Sequence, residues 1–359
     1  MEDLVRTVVR EDIRAWNAYP VPVAEGMIKL DAMENPYGCS SALRARLSST
    51  LGELALNRYP SPSAVQLKRQ LGALMGLADD TPAMVLGNGS DELIQMLALA
   101  VAKPGAVILG VEPSFVMFRS IAQLAQVNFV GVPLEPDFSL NGPVLLEAIA
   151  RHRPALTFLA YPNNPTGNCF DAQTVEAVIQ TSPGLVVVDE AYYPFTDHSF
   201  KDRLGRYPNL LLMRTLSKLG LAGVRLGWLC GPAEILAEID KVRLPYNISV
   251  LDQAAATVML EHRAELQAQV EAIVQERGLL ASALRTLAQV TVFPSAANFL
   301  LFRVPRAGQV FDGLRHHGIL IKNLSQAHPL LQDCLRVTVG TPDENRAFLD
   351  ALSQVLDSQ

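Results

Sequence analysis

Leu185-Val-Val-Val-Asp189-Glu-Ala-Tyr192 reads as a strand that ends on a carboxylate. Four apolar residues in a row leave no polar face, as expected of a strand covered on both sides. Six more runs of this kind occupy 83–86, 106–111, 127–133, 156–161, 210–213 and 224–229, and helical patterns such as 91–101 and 171–180 fill several of the gaps. Apolar strands alternating with helices predict an α/β fold built on a mostly parallel seven-stranded sheet. In such sheets a ligand sits beyond the carboxyl ends of the strands. The polar clusters of this chain follow its apolar runs directly, so the pattern gathers them on one rim.

The bulk properties exclude several classes. The chain has 359 residues, is 49% hydrophobic and carries a net charge of -6, with no basic stripe to suit nucleic acid. It has no apolar run of about 18 residues, and its acidic start, Met1-Glu-Asp-Leu4, is unlike a signal peptide. Four scattered cysteines without a CxxC pair predict reduced thiols in a cytoplasmic protein, and six histidines without ligand spacing predict no metal site. Residues 1–30, with Pro20 and Pro22, read as an arm, and a long amphipathic pattern at 250–287 leads to short strand runs at 290–293, 298–303, 318–322 and 335–339. The expected division is an N-terminal arm over 1–35 that contributes to the small domain, a large ligand-binding domain over 36–250, and a small α+β domain over 251–359 that includes the bridging helix.

Each polar cluster carries two readings. Thr215-Leu-Ser-Lys218 opens a loop rich in small residues that ends at Arg225. A partly desolvated lysine beside hydroxyls and an arginine suits pyridoxal phosphate (PLP), held by the lysine amine, and equally describes a surface lysine in an ordinary loop. Gly87-Asn-Gly-Ser90-Asp91-Glu reads as a phosphate cradle at a helix N-terminus or as a capped helix start. Phe115 reads as a ring-stacking aromatic or as packing, and Tyr161-Pro-Asn-Asn164-Pro-Thr-Gly167 as a fixed amide donor or as a turn. A buried Asp189 needs a partner: a pyridinium nitrogen, a structural cation or a helix start. Tyr192, three residues on, is placed to donate to a ring oxygen.

Taken in order with Asn35-Pro-Tyr-Gly38 and Arg336-Val-Thr-Val-Gly340, these clusters resemble the fold type I PLP-dependent aminotransferases, and among them the histidinol-phosphate aminotransferases, from about Leu30 to about Pro342. The resemblance implies that Lys218 forms the internal aldimine, that Asp189 pairs with the pyridine nitrogen, and that Asn164 and Tyr192 bind the ring oxygen. It implies Phe115 stacked on the ring and Ser90, Asp91, Ser217 and Arg225 around the phosphate, with Thr215 a weaker neighbour. Tyr59 would reach the cofactor of the other subunit of a homodimer. Arg336, Lys322 and Asn35 would bind substrate. The implied activity is amino transfer between L-histidinol phosphate and 2-oxoglutarate in histidine biosynthesis. An aromatic amino-acid aminotransferase and a threonine-phosphate decarboxylase are the alternatives on this scaffold. An aminotransferase-like regulator would need a basic DNA-binding segment for which about 30 N-terminal residues are too few. The chain departs from the family where Phe115 stands in place of a frequent tyrosine, Lys322 in place of a frequent arginine, and Arg225 seven rather than eight residues after the lysine.

Overall fold

The computed structural model describes residues 2–18, 21–77 and 83–358, so Pro20 of the expected arm lies outside the described residues. In chain order the strands are β1 (Ile28–Lys29), β2 (Ala83–Asn88), β3 (Val107–Glu112), β4 (Asn128–Pro133), β5 (Leu156–Ala160), β6 (Leu185–Asp189), β7 (Leu210–Thr215), β8 (Leu226–Gly231), β9 (Thr291–Val292), β10 (Phe299–Arg303), β11 (Ile319–Leu320), β12 (Lys322–Asn323) and β13 (Cys334–Thr338). Seven of them form the large sheet in the order β2-β8-β7-β6-β5-β3-β4. These are the seven runs expected from the sequence. In β6 the side chains of Val186 and Val188 enter one apolar cluster and Val187 the other, so both faces are covered and the strand needs no polar face.

Strand β8 alone runs antiparallel to its neighbours, β2 and β7. Only residues 216–225 connect it to β7. A parallel return needs a crossover of a dozen or more residues, so this short loop forces a hairpin-like reversal. The reversal has a consequence for the site. Thr215 ends β7 and Arg225 immediately precedes β8, so the short loop between them delivers both to one rim.

Some helix starts follow local capping chemistry. Asp171 accepts from the Thr174 N–H at 2.8 Å before the helix Ala172–Thr181, and Thr341 and Glu344 form a reciprocal capping box at the helix Pro342–Asp357. The expected single bridging pattern is two helices, Val250–Glu261 and Arg263–Arg285, because His262 leaves helical geometry at φ −105°, ψ 30°. The strand run at 318–322 also divides. Ile319–Leu320 pairs in parallel with Ile28–Lys29, whereas Lys322–Asn323 pairs antiparallel to β13 in a four-stranded sheet of order β12-β13-β10-β9. Residues 28–30 are further tied in by Leu30 N–H to Leu320 O at 2.7 Å and Thr338 N–H to Leu30 O at 2.8 Å. Among the described residues, no helix is long and apolar enough to cross a membrane.

Candidate active site

A cavity of about 110 Å³ opens at the rim where β2, β5, β6 and β7 end. Its walls include Ser90, Asp91, Phe115, Asn164, Asp189, Tyr192, Thr215, Ser217, Lys218 and Arg225. The sequence clusters, separated by up to 135 residues, meet here.

Lys218 sits in a tight turn, Ser217–Leu221, that follows β7 after Leu216. Its Nζ donates to the Ala32 carbonyl at 3.2 Å and lies 5.9 Å from the centre of the Tyr192 ring. Burial, reinforced by the Arg336 charge, lowers its pKa to about 8. Gly220 completes the turn at φ +120°, a value L side chains rarely adopt. Opposite the lysine, Asp189 is buried at the end of β6, where its Oδ1 accepts the Ala191 N–H at 3.0 Å. Burial pushes this carboxyl up to about 7, partly offset by that hydrogen bond. A cation brought against Asp189 would remove this penalty by pairing with the carboxylate.

Between these groups lies a chain of polar contacts. Asn164 Nδ2 donates to Tyr192 Oη at 3.0 Å, and Arg336 Nη1 donates to Asn164 Oδ1 at 2.5 Å. The Tyr192 ring is held edge-on to Phe299 with centroids 5.2 Å apart. Amide and phenol are thus locked side by side, facing the cavity that Phe115 bounds elsewhere.

The other end suits an oxyanion. Arg225 Nη1 donates to Ser217 Oγ at 3.4 Å, Ser217 and Thr215 share a hydroxyl hydrogen bond of 2.9 Å, and Ser90 lies in the first turn of the helix Gly89–Val101. Arg225 also contacts the Asp91 carboxylate at 3.3 Å, with both side chains nearly half exposed, so solvent weakens that pair. Gly89 adopts φ +74°, and a Cβ there would stand 2.6 Å from Arg225 Nη2; a Cβ on Gly227 would stand 2.9 Å from the Ser90 N. Two glycines therefore keep the space in which backbone N–H groups and the guanidinium converge. A molecule bearing a phosphate at one end, a basic ring nitrogen at the other and a carbonyl between them matches this donor set.

Beside it lies a larger cavity of about 410 Å³, sharing Met33, Phe115 and Asn164 with the first. Lys322 and Arg336 are register partners across β12 and β13, and both line it. Arg336 is buried and also donates to the Asp31 carbonyl at 3.0 Å. Two neighbouring cations give this wall a positive charge of the kind that suits an anionic group.

Two expected site residues line neither cavity. Asn35 braces the lysine turn, donating to Leu219 O at 3.4 Å and Gln269 Oε1 at 2.9 Å while accepting from Tyr37 N–H at 2.9 Å. Tyr59 is 80% exposed and stacks on Tyr246 with centroids 4.4 Å apart. The sequence reading missed the backbone of 31–33, which accepts from both Lys218 and Arg336 and carries no side-chain signature. It also missed Glu190, fully buried beside Asp189 and paired with Arg214 at 2.6 Å beneath the rim. An arginine inside the otherwise apolar run of β7 was the available signal. Among the described residues, no group of three or more His, Cys, Asp or Glu could hold a metal ion.

The family model described as aminotransferase class I and II matches residues 25–352. Histidinol-phosphate aminotransferase 2 of Cupriavidus pinatubonensis is 52% identical over 361 residues, covering 98% of each chain. Histidinol-phosphate aminotransferase 1 of Ralstonia nicotianae is 52% identical over 361 residues, covering 99% of this chain and 96% of the relative. The structure of histidinol-phosphate aminotransferase from Sinorhizobium meliloti in complex with pyridoxal-5'-phosphate superposes with a TM-score of 0.85 at 24% identity, covering 98% of both chains, a likeness of fold.

Proposed function

The chain belongs to the class I and II aminotransferase family, and on that premise we infer that it exchanges an amino group between L-histidinol phosphate and 2-oxoglutarate. The products are imidazole acetol phosphate and L-glutamate, in histidine biosynthesis, and the cofactor is pyridoxal 5'-phosphate. The observation that carries this reading is 52% identity, over nearly the whole chain, to histidinol-phosphate aminotransferases, joined to a cavity that a buried lysine amine and a buried aspartate face together.

When bound, the cofactor supplies a ring that withdraws electrons from the substrate carbon about to lose its proton. Lys218 would hold the cofactor through its amine. With its amine free, Lys218 Nζ would take the proton from the substrate Cα and later give it back. Burial favours the uncharged form of this amine, as a proton acceptor requires. Asp189 would keep the proton on the ring nitrogen. Asn164 Nδ2 and Tyr192 Oη would orient the ring oxygen, and Phe115 would cover a ring face. Ser90, Ser217, Arg225 and the backbone at Asp91 would hold the cofactor phosphate. Arg336 and Lys322 would take the substrate phosphate and, in the return half-reaction, a carboxylate of glutamate.

A homodimer fits the exposed apolar surface. Leu56, Tyr59, Leu244 and Tyr246 are all exposed, and the Tyr59–Tyr246 stack unites the two segments that carry them. A second copy covering this surface would let Tyr59 reach its partner's cofactor. We assign the protein to the cytoplasm with small-molecule substrates.

The test is a substrate panel with the purified holoenzyme. Histidinol phosphate with 2-oxoglutarate should yield glutamate faster than phenylalanine or tyrosine does. Faster turnover of phenylalanine, or carbon dioxide released from threonine phosphate, would overturn the assignment.

A further inference from the structure

The larger cavity has a feature that amino transfer does not require. Among the described residues lining it, Glu112 is the one carboxylate, at the end of β3. Arg119 grips it through two hydrogen bonds, Nε to Oε1 and Nη2 to Oε2, each 2.7 Å. The Arg119 guanidinium lies 4.6 Å from the centre of the Phe129 ring on β4. Gly131, two residues along β4, is needed for this arrangement, because a Cβ there would fall on Glu112 Oε2. A bidentate hold, an aromatic platform and a cleared space fix the carboxylate on the cavity wall.

Each carboxylate oxygen has two acceptor sites, and Arg119 fills one on each. The remaining sites can accept an N–H, and the adjoining guanidinium cancels most of the charge, so a neutral donor suffices. His328 lines the same cavity, and its Nδ1 accepts the Leu330 N–H at 3.2 Å. Its neutral ring therefore carries the proton on Nε2 and offers it as a donor. Phe115, Phe118 and Leu331 supply apolar wall around these groups. The opposite chemistry, Lys322 with Arg336, faces the same space.

We propose that Glu112, positioned by Arg119 and assisted by His328, reads the nitrogen edge of a five-membered heteroaromatic ring on the amino donor, and so selects an imidazole over a phenyl ring. This rests on the histidinol-phosphate reading above and names the residues that give it specificity. An imidazole has one N–H donor and one bare nitrogen acceptor. Glu112 accepts the first and His328 Nε2–H donates to the second. A phenyl ring satisfies neither, and it covers the open acceptor sites of Glu112 and the Nε2–H of His328 without matching them, which is how a site rejects a near-isostere.

The test compares kcat/KM for histidinol phosphate with that for glutamate, which has no ring, in separate half-reactions of the holoenzyme. Glu112→Gln keeps the size and removes the charge while turning an amide N–H₂ toward the ring. The ratio should fall on the order of 10-fold, about the worth of one hydrogen bond. The double variant Glu112→Met/Arg119→Met removes the pair without stranding a charge, and should give a similar fall. Equal losses with both substrates, or no change in the ratio in either variant, would overturn the proposal while wild-type conversion of histidinol phosphate continued. Wild-type enzyme inert toward histidinol phosphate would instead refute the functional reading, and this inference with it.

Discussion

Asp189→Asn separates what the buried carboxyl costs the fold from what it does for the cofactor. In the cofactor-free chain burial pushes Asp189 up to about 7 from its ordinary 3.8. The unfolded chain therefore releases this proton first as pH rises. Stability is full below about pH 4 and is lost as pH climbs through 7. With those two values, the linkage relation gives a penalty of roughly 2 kcal/mol at pH 5 and roughly 4 kcal/mol at pH 8. Asparagine has nearly the same shape and does not ionise, so it escapes the penalty at both. Lys218, lowered to about 8, changes stability in the opposite sense, and its charge is the last of the influences on Asp189, so it alters the comparison little. An unfolding entropy of about 2.1 cal/mol/K per residue over this chain converts 4 kcal/mol into about 5 °C. Thermal scans of the cofactor-free proteins should show the variant melting about 5 °C above wild type at pH 8 and about half that at pH 5. Saturating cofactor should reverse the order, and activity should fall on the order of 10²- to 10³-fold, as when one preorganised electrostatic partner is removed. A cofactor-free variant that melts at or below wild type at pH 8, or a difference that ignores pH, would refute the reasoning.

Three other perturbations probe different parts of the site. Gly89→Ala imposes a side chain at φ +74° and drives a Cβ to 2.6 Å from Arg225 Nη2, so cofactor affinity should fall on the order of 10-fold or more in a fluorescence titration, with the fold retained. Arg214→Met strands the fully buried Glu190 and should destabilise by about 3–5 kcal/mol in urea unfolding, whereas Glu190→Gln together with Arg214→Met should recover most of that loss. Arg336→Gln removes the hydrogen-bonded cation that touches Asn164 and Asp31, so KM should rise on the order of 10-fold or more for both histidinol phosphate and glutamate.

Much of this site is legible in the sequence, for a physical reason. A strand buried on both faces must be apolar throughout, so β5, β6 and β7 announce themselves, and the first polar residues after them must lie at the rim. Asp189, Asn164 and Lys218 were found in that way. The reversal of β8 was not read from the sequence, because the length of the 216–225 loop depends on where the two strands end. What stayed hidden has no side-chain code. The Ala32 carbonyl that accepts from Lys218 belongs to a segment remote in sequence, and any residue type could supply it. Asn35 entered as a substrate ligand only through the family resemblance, and in the fold its amide donates to Leu219 and Gln269. The break at His262 carries no glycine or proline, and the division at Ile321 depends on which strands stand on either side. Glu190 was masked by its neighbour Asp189, since two adjacent acids at a strand end read as one polar cluster.

The central claim is that Lys218 is the amine on which the cofactor is held. Borohydride reduction of the holoenzyme, followed by proteolysis and mass mapping of the labelled peptide, tests it directly. The account predicts a single label of pyridoxyl phosphate mass on Lys218, absent from Lys218→Ala. A label on any other lysine, or one that survives the substitution, would contradict it.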